Sequence, residues 1–380
     1  MDRFSDRYAD LIIRSALKLE KGDVLSINTE EENSEFAHLI AEKAKKITGN
    51  GSFIQYIENG KITETEEAST DFPIEGKATV LLHLPRYKSY EDAEEGKILS
   101  AREIQMYRHL ADPLDNGVPV VPYASAPIPT KQWAEILEEN GDEALPYSLI
   151  SSLLSLEEDE AERMIKDKED VIEYEKAELN KLELVSCHCY SEDGTDISFS
   201  FLPSSVFAST VATTKKGRRF LPSLYASDIF RAIETKSFNG YMTATRSFML
   251  FGKIVKSMNI EYRNGKIETY STDEESGRLF SIYLAQDEKA AEPSELSIAE
   301  EHGQASEIPL FALPEWDRMR TTSITLGSPR PETLIDIEDK GEHSLLYLSI
   351  PIGSDSLTID AYDKDGNEYT ILEDGYIGEE

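Results

Sequence analysis

The chain has 380 residues, and 73 Asp and Glu against 39 Lys and Arg give it a formal net charge of −34. Such a surface repels phosphate backbones and anionic lipid, which argues against nucleic-acid and membrane partners. The length exceeds what one hydrophobic core usually serves, so two domains are expected, and 39% hydrophobic with 29% charged residues fits a folded protein. The opening MDRFSDRYAD is too charged for a signal peptide and no run reaches membrane-spanning length, so a cytoplasmic location is expected. Two cysteines, Cys187 and Cys189, cannot staple a protein of this size, which agrees with a reducing compartment.

Tyr8, Leu11, Ile12, Ser15 and Leu19 recur at helical spacing, with Gly22 as the stop. Residues 24–27 read as a strand. A second amphipathic helix carries Phe36, Leu39, Ile40, Ala44 and Ile47 and ends at Gly49, and residues 52–57 form the next strand. Strand, helix and strand joined by short links imply a right-handed crossover and a parallel sheet. Residues 80–84 and 118–121 read as further strands, with a helix near 104–110 between them. Residues 1–125 are therefore expected to form an open α/β domain. Neither G-x-G-x-x-G nor a Walker-type G-K-[ST] occurs, so a nucleotide site has no support. His83, in an apolar strand, reads as structural.

Residues 126–182 read as a helical connector. Trp133, Ile136 and Leu137 share one side of a first helix, 145–154 is a second piece, and Ser155-Leu156-Glu157-Glu158 has the form of a capping box. It would open a long charged helix to about Leu182, with Met164, Ile165, Ile172 and Ala177 for packing. From 183 to 380 the period changes from helical to alternating. Asp193-Gly194, Asn264-Gly265 and Asp365-Gly366 are tight-turn signals between strand-like runs, so this part is expected to be β-rich. The acidic stretch 286–304 reads as a loop plus a solvated helix. The fold class is thus α/β plus α+β, two domains joined by a long helix.

Few residues suggest chemistry on their own. Cys187-His188-Cys189 looks metal-like, but on a strand the sulfurs share one face and the imidazole points away. His302 and His343 lack a partner at H-E-x-x-H spacing and read as loop histidines. The Asp363–Glu368 run is a hairpin turn, because Ala361 and Leu372 would fall at the ends of a calcium loop. No G-x-S-x-G elbow supports a nucleophilic hydrolase.

One segment carries more. Phe220-Leu221-Pro222-Ser223-Leu224-Tyr225-Ala226-Ser227-Asp228-Ile229-Phe230 resembles the F-x-P-N-x-P-T-E-E-x-F motif of the thermophilic metallo-aminopeptidases, the aminopeptidase T / aminopeptidase S family. Gly194-Thr195-Asp196-Ile197 with Leu202-Pro203 is similar to the family's G-T-D-L…L-P, and Asn239 to Arg246 to its N-G-x-V-x-S-T-K with arginine for lysine. Asn264-Gly265-Lys266-Ile267 resembles its D-G-K-[IV] hairpin. Ile352-Gly353-Ser354, Leu357, Ile359-Asp360 and Asp365-Gly366 resemble its closing motifs. The resemblance covers most of the chain and is specific mainly after residue 183.

What it implies is a fold kept and a metal site changed. In the family two divalent ions, cobalt or zinc, share carboxylates and imidazoles. The first acidic ligand falls at Ser227-Asp228. The next glutamate matches Glu307, the one retained acid and the only catalytic candidate. The two histidines fall on Ser323 and Tyr347, the tyrosine near Arg330, and the last aspartate on Ser349. Arg330 stays cationic at physiological pH, opposes a dication and could replace it structurally.

No metal or other cofactor is therefore expected. The leading expectation is a degenerate, non-catalytic binding or regulatory homologue that keeps the family's homodimer and takes a peptide or small molecule in its cavity. The alternative is an active metal-dependent aminopeptidase using Asp228, Glu307 and one or two cobalt or zinc ions. Different chemistry on the same fold, as in the related dihydroxypyridine dioxygenases, finds no matching His/His/Asp set here.

Overall fold

The computed structural model describes residues 3–58, 61–68, 78–84, 114–115, 118–119, 121–138, 141–157, 159–225, 227–335, 344 and 346–378. They fall into two compact units. Among the described residues, the first is drawn from 3–170 and 210–225, and the second from 171–209 and 227–378.

In the first unit, α1 (Arg3–Leu11) runs into a π-helical turn over Ile12–Ala16, burying Tyr8, Leu11, Ile12 and Ala16. Strand β1 (Leu25–Thr29) leads to α2 (Ser34–Thr48), which ends on Gly49 at φ +75°, where a left-handed residue costs glycine least. Then come β2 (Ser52–Glu58), β3 (Lys61–Ala68), β4 (Val80–His83) and β5 (Tyr123–Ser125). They form one sheet in the order β3-β2-β1-β4-β5, parallel throughout except for the antiparallel edge strand β3. The strand expected at 118–121 is replaced by a two-residue antiparallel ladder, Val118–Pro119 with Leu114–Asp115. Pro119 cannot donate to a central ladder and Pro122 follows, so pairing with β4 begins only at Tyr123. The helix expected near 104–110 lies outside the described residues.

Helix α3 (Lys131–Leu137) is capped by Thr130, whose Oγ1 accepts the Trp133 N–H at 3.2 Å. It is followed by α4 (Ala144–Leu153) and α5 (Ala161–Lys181). Ser155 does not open α5. Its φ is +50° and its N–H bonds the Ser152 carbonyl at 3.2 Å, so it closes the turn after α4, and α5 begins six residues later.

The contacts divide the chain inside α5, and residues 210–225 return to the first unit. Three interactions explain that return. The Leu221 N–H bonds the Ala16 carbonyl at 2.9 Å, Phe220 meets the Tyr123 ring edge-on at 5.1 Å, and Arg218 pairs with Asp23 at 2.7 Å.

The second unit holds β6 (Leu184–Tyr190), β7 (Asp196–Ser200), β8 (Ala208–Ser209), β9 (Asp228–Ala232), β10 (Asn239–Thr243), β11 (Met258–Arg263) and β12 (Lys266–Thr272). After them come α6 (Glu274–Leu284), β13 (Pro293–Ala299), α7 (Pro314–Met319), β14 (Ser323–Gly327), β15 (Tyr347–Pro351), β16 (Thr358–Asp363), β17 (Glu368–Glu373) and β18 (Tyr376–Ile377). An eight-stranded antiparallel sheet runs β12-β11-β10-β7-β6-β16-β17-β18, and a five-stranded one runs β8-β9-β13-β14-β15. The tight turns fall where the sequence places them, with Gly194, Gly265 and Gly366 all at positive φ. Phe199 and Phe238 stack at 5.3 Å inside this unit, each worth about 1.5–3 kcal/mol of apolar burial. Cys187 and Cys189 are buried on one face of β6, while His188 points the other way to Asp196 at 2.8 Å.

The stretch 286–304 departs from expectation. It contains β13, every residue of which is buried, in the centre of the five-stranded sheet. Leu296 and Ile298 face one side and Glu295 and Ser297 the other, a period of two that the surrounding acidic residues obscure.

Candidate functional site

Residues directly opposite one another in an antiparallel ladder share a face. Phe230 pairs with Ser297 and Ala232 with Glu295; Ser297 then pairs with Ser323 and Glu295 with Thr325; Ser323 pairs with Pro351 and Thr325 with Ser349. Asp228, two residues before Phe230, lies on that same face opposite Ala299. Four strands thus gather two carboxylates and four hydroxyls on one side of the sheet, and Ile229, Leu296, Ile298, Ile324, Leu326 and Ile350 fill the other.

Asp228 and Glu295 are both fully buried. Two bare carboxylates in such a place would be prohibitive without a counter-charge. The chain supplies one in Arg330, which caps the 3₁₀ turn Pro331–Thr333. Its Nη2 lies 2.7 Å from Asp228 Oδ2 and 2.9 Å from Glu295 Oε1, its Nε donates to Glu295 Oε1 at 3.0 Å, and its backbone N–H donates to Glu295 Oε2 at 2.7 Å. Ser297 Oγ adds a hydrogen bond to Asp228 Oδ2 at 2.7 Å. The guanidinium lies 3.2 Å from the centroid of the Phe230 ring, a cation–π contact against a buried face. Burial alone would lower the pKa of Arg330, but the charges and hydrogen bonds of Asp228 and Glu295 outweigh it and hold the pKa above its ordinary value. The group is a fixed cation.

A second buried network lies beyond the end of β13. Glu301 accepts from Thr321 Oγ1 at 2.8 Å and the Thr322 N–H at 2.8 Å, and pairs with Arg246 at 3.1 Å. Burial pushes its carboxyl up, opposed by those donors. Arg246 also reaches the Ser306 carbonyl, and Arg320 the carbonyls of Ile308, Pro309 and Ser247. Two arginines therefore pin the loop that carries Glu307.

The sequence-derived positions mostly converge. Asp228, Ser323, Arg330 and Ser349 meet at the one site; Ser349 Oγ lies 3.0 Å from Thr325 Oγ1, and Ser323 Oγ is buried and has no hydrogen-bond partner among the described residues. Ser227 stands at the edge, donating to the Met319 carbonyl at 2.6 Å. Tyr347 pairs with Gly327 at the far end of the ladder and is 37% exposed, with Arg318 5.9 Å from its ring centroid.

Glu307 is the correction. It is exposed in a turn, not on a strand, and takes no part in the carboxylate pair. The acid in the site is Glu295, which the loop reading of 286–304 concealed. The alternation Glu295-Leu296-Ser297-Ile298 was the signal that could have found it. His302 is a loop histidine, bonded to the Asp374 carbonyl at 2.9 Å and stacked on Tyr376. Glu342 and His343 lie outside the described residues.

The family described as thermophilic metalloprotease (M29) matches residues 2–377. The chain belongs to this family. It is 20% identical to aminopeptidase PepS of Streptococcus thermophilus over 97% of both chains, and 21% identical to aminopeptidase T of Thermus aquaticus over 99% of both. Its fold matches wild-type AmpT from Thermus thermophilus with a TM-score of 0.81 at 18% identity, covering 99% of each chain. A more distant match is 2,5-dihydroxypyridine dioxygenase from Pseudomonas putida, with a TM-score of 0.54 at 12% identity over 100% of this chain and 98% of that one. The aminopeptidase T-type fold anticipated from the motifs is therefore the fold of this chain.

Proposed function

We propose that this member of the metalloprotease family holds no dinuclear metal centre and acts as a non-catalytic binding or regulatory homologue. The observation that carries this reading is the Arg330 guanidinium bonded to both Asp228 and Glu295. A dinuclear centre needs bridging carboxylates and further nitrogen or oxygen ligands around two dications about 3.5–4 Å apart. Here both carboxylates already face a permanent monocation, and the positions the family gives to imidazoles are a serine and an exposed tyrosine. Among the described residues no three His, Cys, Asp or Glu side chains cluster as ligands. The donor set does not suit the metal pair that the family description implies. The homodimer, the bound peptide or small molecule and the cytoplasmic location expected from the sequence belong to this proposal.

The test is metal content. The protein is incubated with cobalt or zinc, dialysed extensively, and analysed by mass spectrometry for metal per chain, with hydrolysis of aminoacyl p-nitroanilides measured alongside. Near-zero metal and no hydrolysis are expected. One or two ions per chain with release of N-terminal residues would establish instead an active metal-dependent aminopeptidase, the activity named for the relatives that match along nearly its whole length.

A further inference from the structure

We propose that the row Gln55–Asn28–His83–Ser125, at the carboxyl ends of the parallel strands in the first unit, binds an uncharged planar ring carrying an amide edge, such as a nucleobase or a nicotinamide. Asn28 pairs with Gln55 on β2 and with His83 on β4, and His83 pairs with Ser125 on β5. Paired residues in a ladder point to the same face, so four adjacent strands present two amides, an imidazole and a hydroxyl in one line. His83 and Ser125 end their strands, and Asn28 stands one residue from the end of β1. From β1 the chain passes to β2 on one side, and β4 pairs on the other, so the strand order reverses between β1 and β4. Open α/β sheets bind ligands at that switch point, outside the carboxyl ends of the strands.

A second observation points to a ligand. Asn28 is 1% exposed, yet among the described residues its Oδ1 has no hydrogen-bond partner. Buried amide groups are nearly always paired, so this one calls for a partner.

The chemistry of the row narrows that partner. Gln55, Asn28 and Ser125 carry no charge, and burial pushes the His83 imidazole down to about 4, so it is neutral at ordinary pH. The link into α2 is Glu30-Glu31-Glu32-Asn33, without a glycine-rich phosphate loop, and its acids oppose an anion. The preceding row on the same face holds Phe53 and Tyr123, both half-buried, on the two flanks of Ser26 and Leu81. Apolar rings beside a line of donors and acceptors suit a flat molecule with a hydrogen-bonding edge. The inference concerns the first unit alone and is independent of the metal reading.

The experiment titrates the full chain with uracil and with nicotinamide by calorimetry and saturation-transfer NMR, with inorganic phosphate and glucose as controls. Either ring is expected to bind one per chain. Asn28→Leu should weaken it by about tenfold, roughly 1.4 kcal/mol, with the melting temperature retained. Should that variant not fold, Gln55→Ala, at a half-buried position, should weaken binding by roughly threefold. The proposal is overturned if neither ring binds, if both variants bind as the wild type does, or if phosphate or glucose binds in their place. A crystal structure grown with either ring in which Asn28 is satisfied by ordered water alone would overturn it too.

Discussion

Two arginines flank strand β9 on opposite faces, and they are held in opposite ways. Arg330 lies over the face of Asp228 and Phe230, bonded to two buried carboxylates, and its pKa is held above the ordinary value. Arg231 points to the other face. There it donates to Ser205 Oγ at 3.1 Å and to the carbonyls of Leu184 at 2.8 Å and Ser205 at 3.0 Å, and packs on the Phe201 and Phe207 rings. Desolvation pulls its pKa down to about 10, with no carboxylate bonded to it among the described residues, so it too is charged at neutral pH. The first arginine is a counter-ion and the second a structural strut. Residue type does not separate the two roles, but the partners do.

The sharpest test of that contrast is the pair Arg330→Met and Arg231→Met. Removing Arg330 strands two buried carboxylates and should cost about 3–5 kcal/mol at pH 8. Their folded pKa values would then lie above the unfolded ones, so stability should be present at low pH and lost as pH rises through those raised values. Urea unfolding at pH 5 and pH 8 should show a smaller loss at pH 5, and adding Asp228→Asn should recover part of it. Arg231→Met exposes no carboxylate and should cost about 1–2 kcal/mol, equally at both pH values. Equal costs for the two variants, or no pH dependence for Arg330→Met, would break the comparison.

A smaller effect is expected at a carboxylate with no cation bonded to it among the described residues. Desolvation, then the charge of Glu300, pushes the pKa of Glu175 up to about 7. A raised carboxyl pKa favours folding below the unfolded value near 4.5, and that contribution is lost as pH rises through 7. Glu175→Gln should therefore stabilise the protein at pH 8 by about 1 kcal/mol, after discounting for partial solvent screening, and by only a small fraction of that at pH 5. A gain at pH 5 as large as at pH 8 would mean that the effect comes from packing and not from charge.

How far the sequence could be read follows from the same physics. Strong periodicity and turn chemistry are local, so α2, β1, β2 and the Gly194, Gly265 and Gly366 turns were legible, as were the motifs that imply the family. Asp228 and Arg330 were legible as positions, but not their bond, because residues 102 apart meet only when β13 lies between them. The strand β13 itself was hidden. A wholly buried strand with Glu295, Ser294 and Ser297 inside violates the expectation that acids are exposed, and only the remote Arg330 makes it tolerable. The return of 210–225 to the first unit was invisible for a similar reason, since Arg218 and Asp23 stand 195 positions apart.

The smallest predicted effect decides which glutamate belongs to the site. Glu307 is exposed on a loop fixed by Arg246 and Arg320 through backbone carbonyls, and those bonds do not involve its side chain. Glu307→Gln should therefore stay within about 0.5 kcal/mol of the wild type, the range for surface changes away from special contacts. Glu295→Gln keeps the size of the side chain but replaces a carboxylate that accepts the backbone N–H and Nε of Arg330 and lies 2.9 Å from its Nη2. Charge-assisted bonds of this kind carry about 1.5–3 kcal/mol each, so the loss in urea unfolding should be several times larger than for Glu307→Gln. A loss at Glu307 equal to that at Glu295 would return the exposed acid to the site.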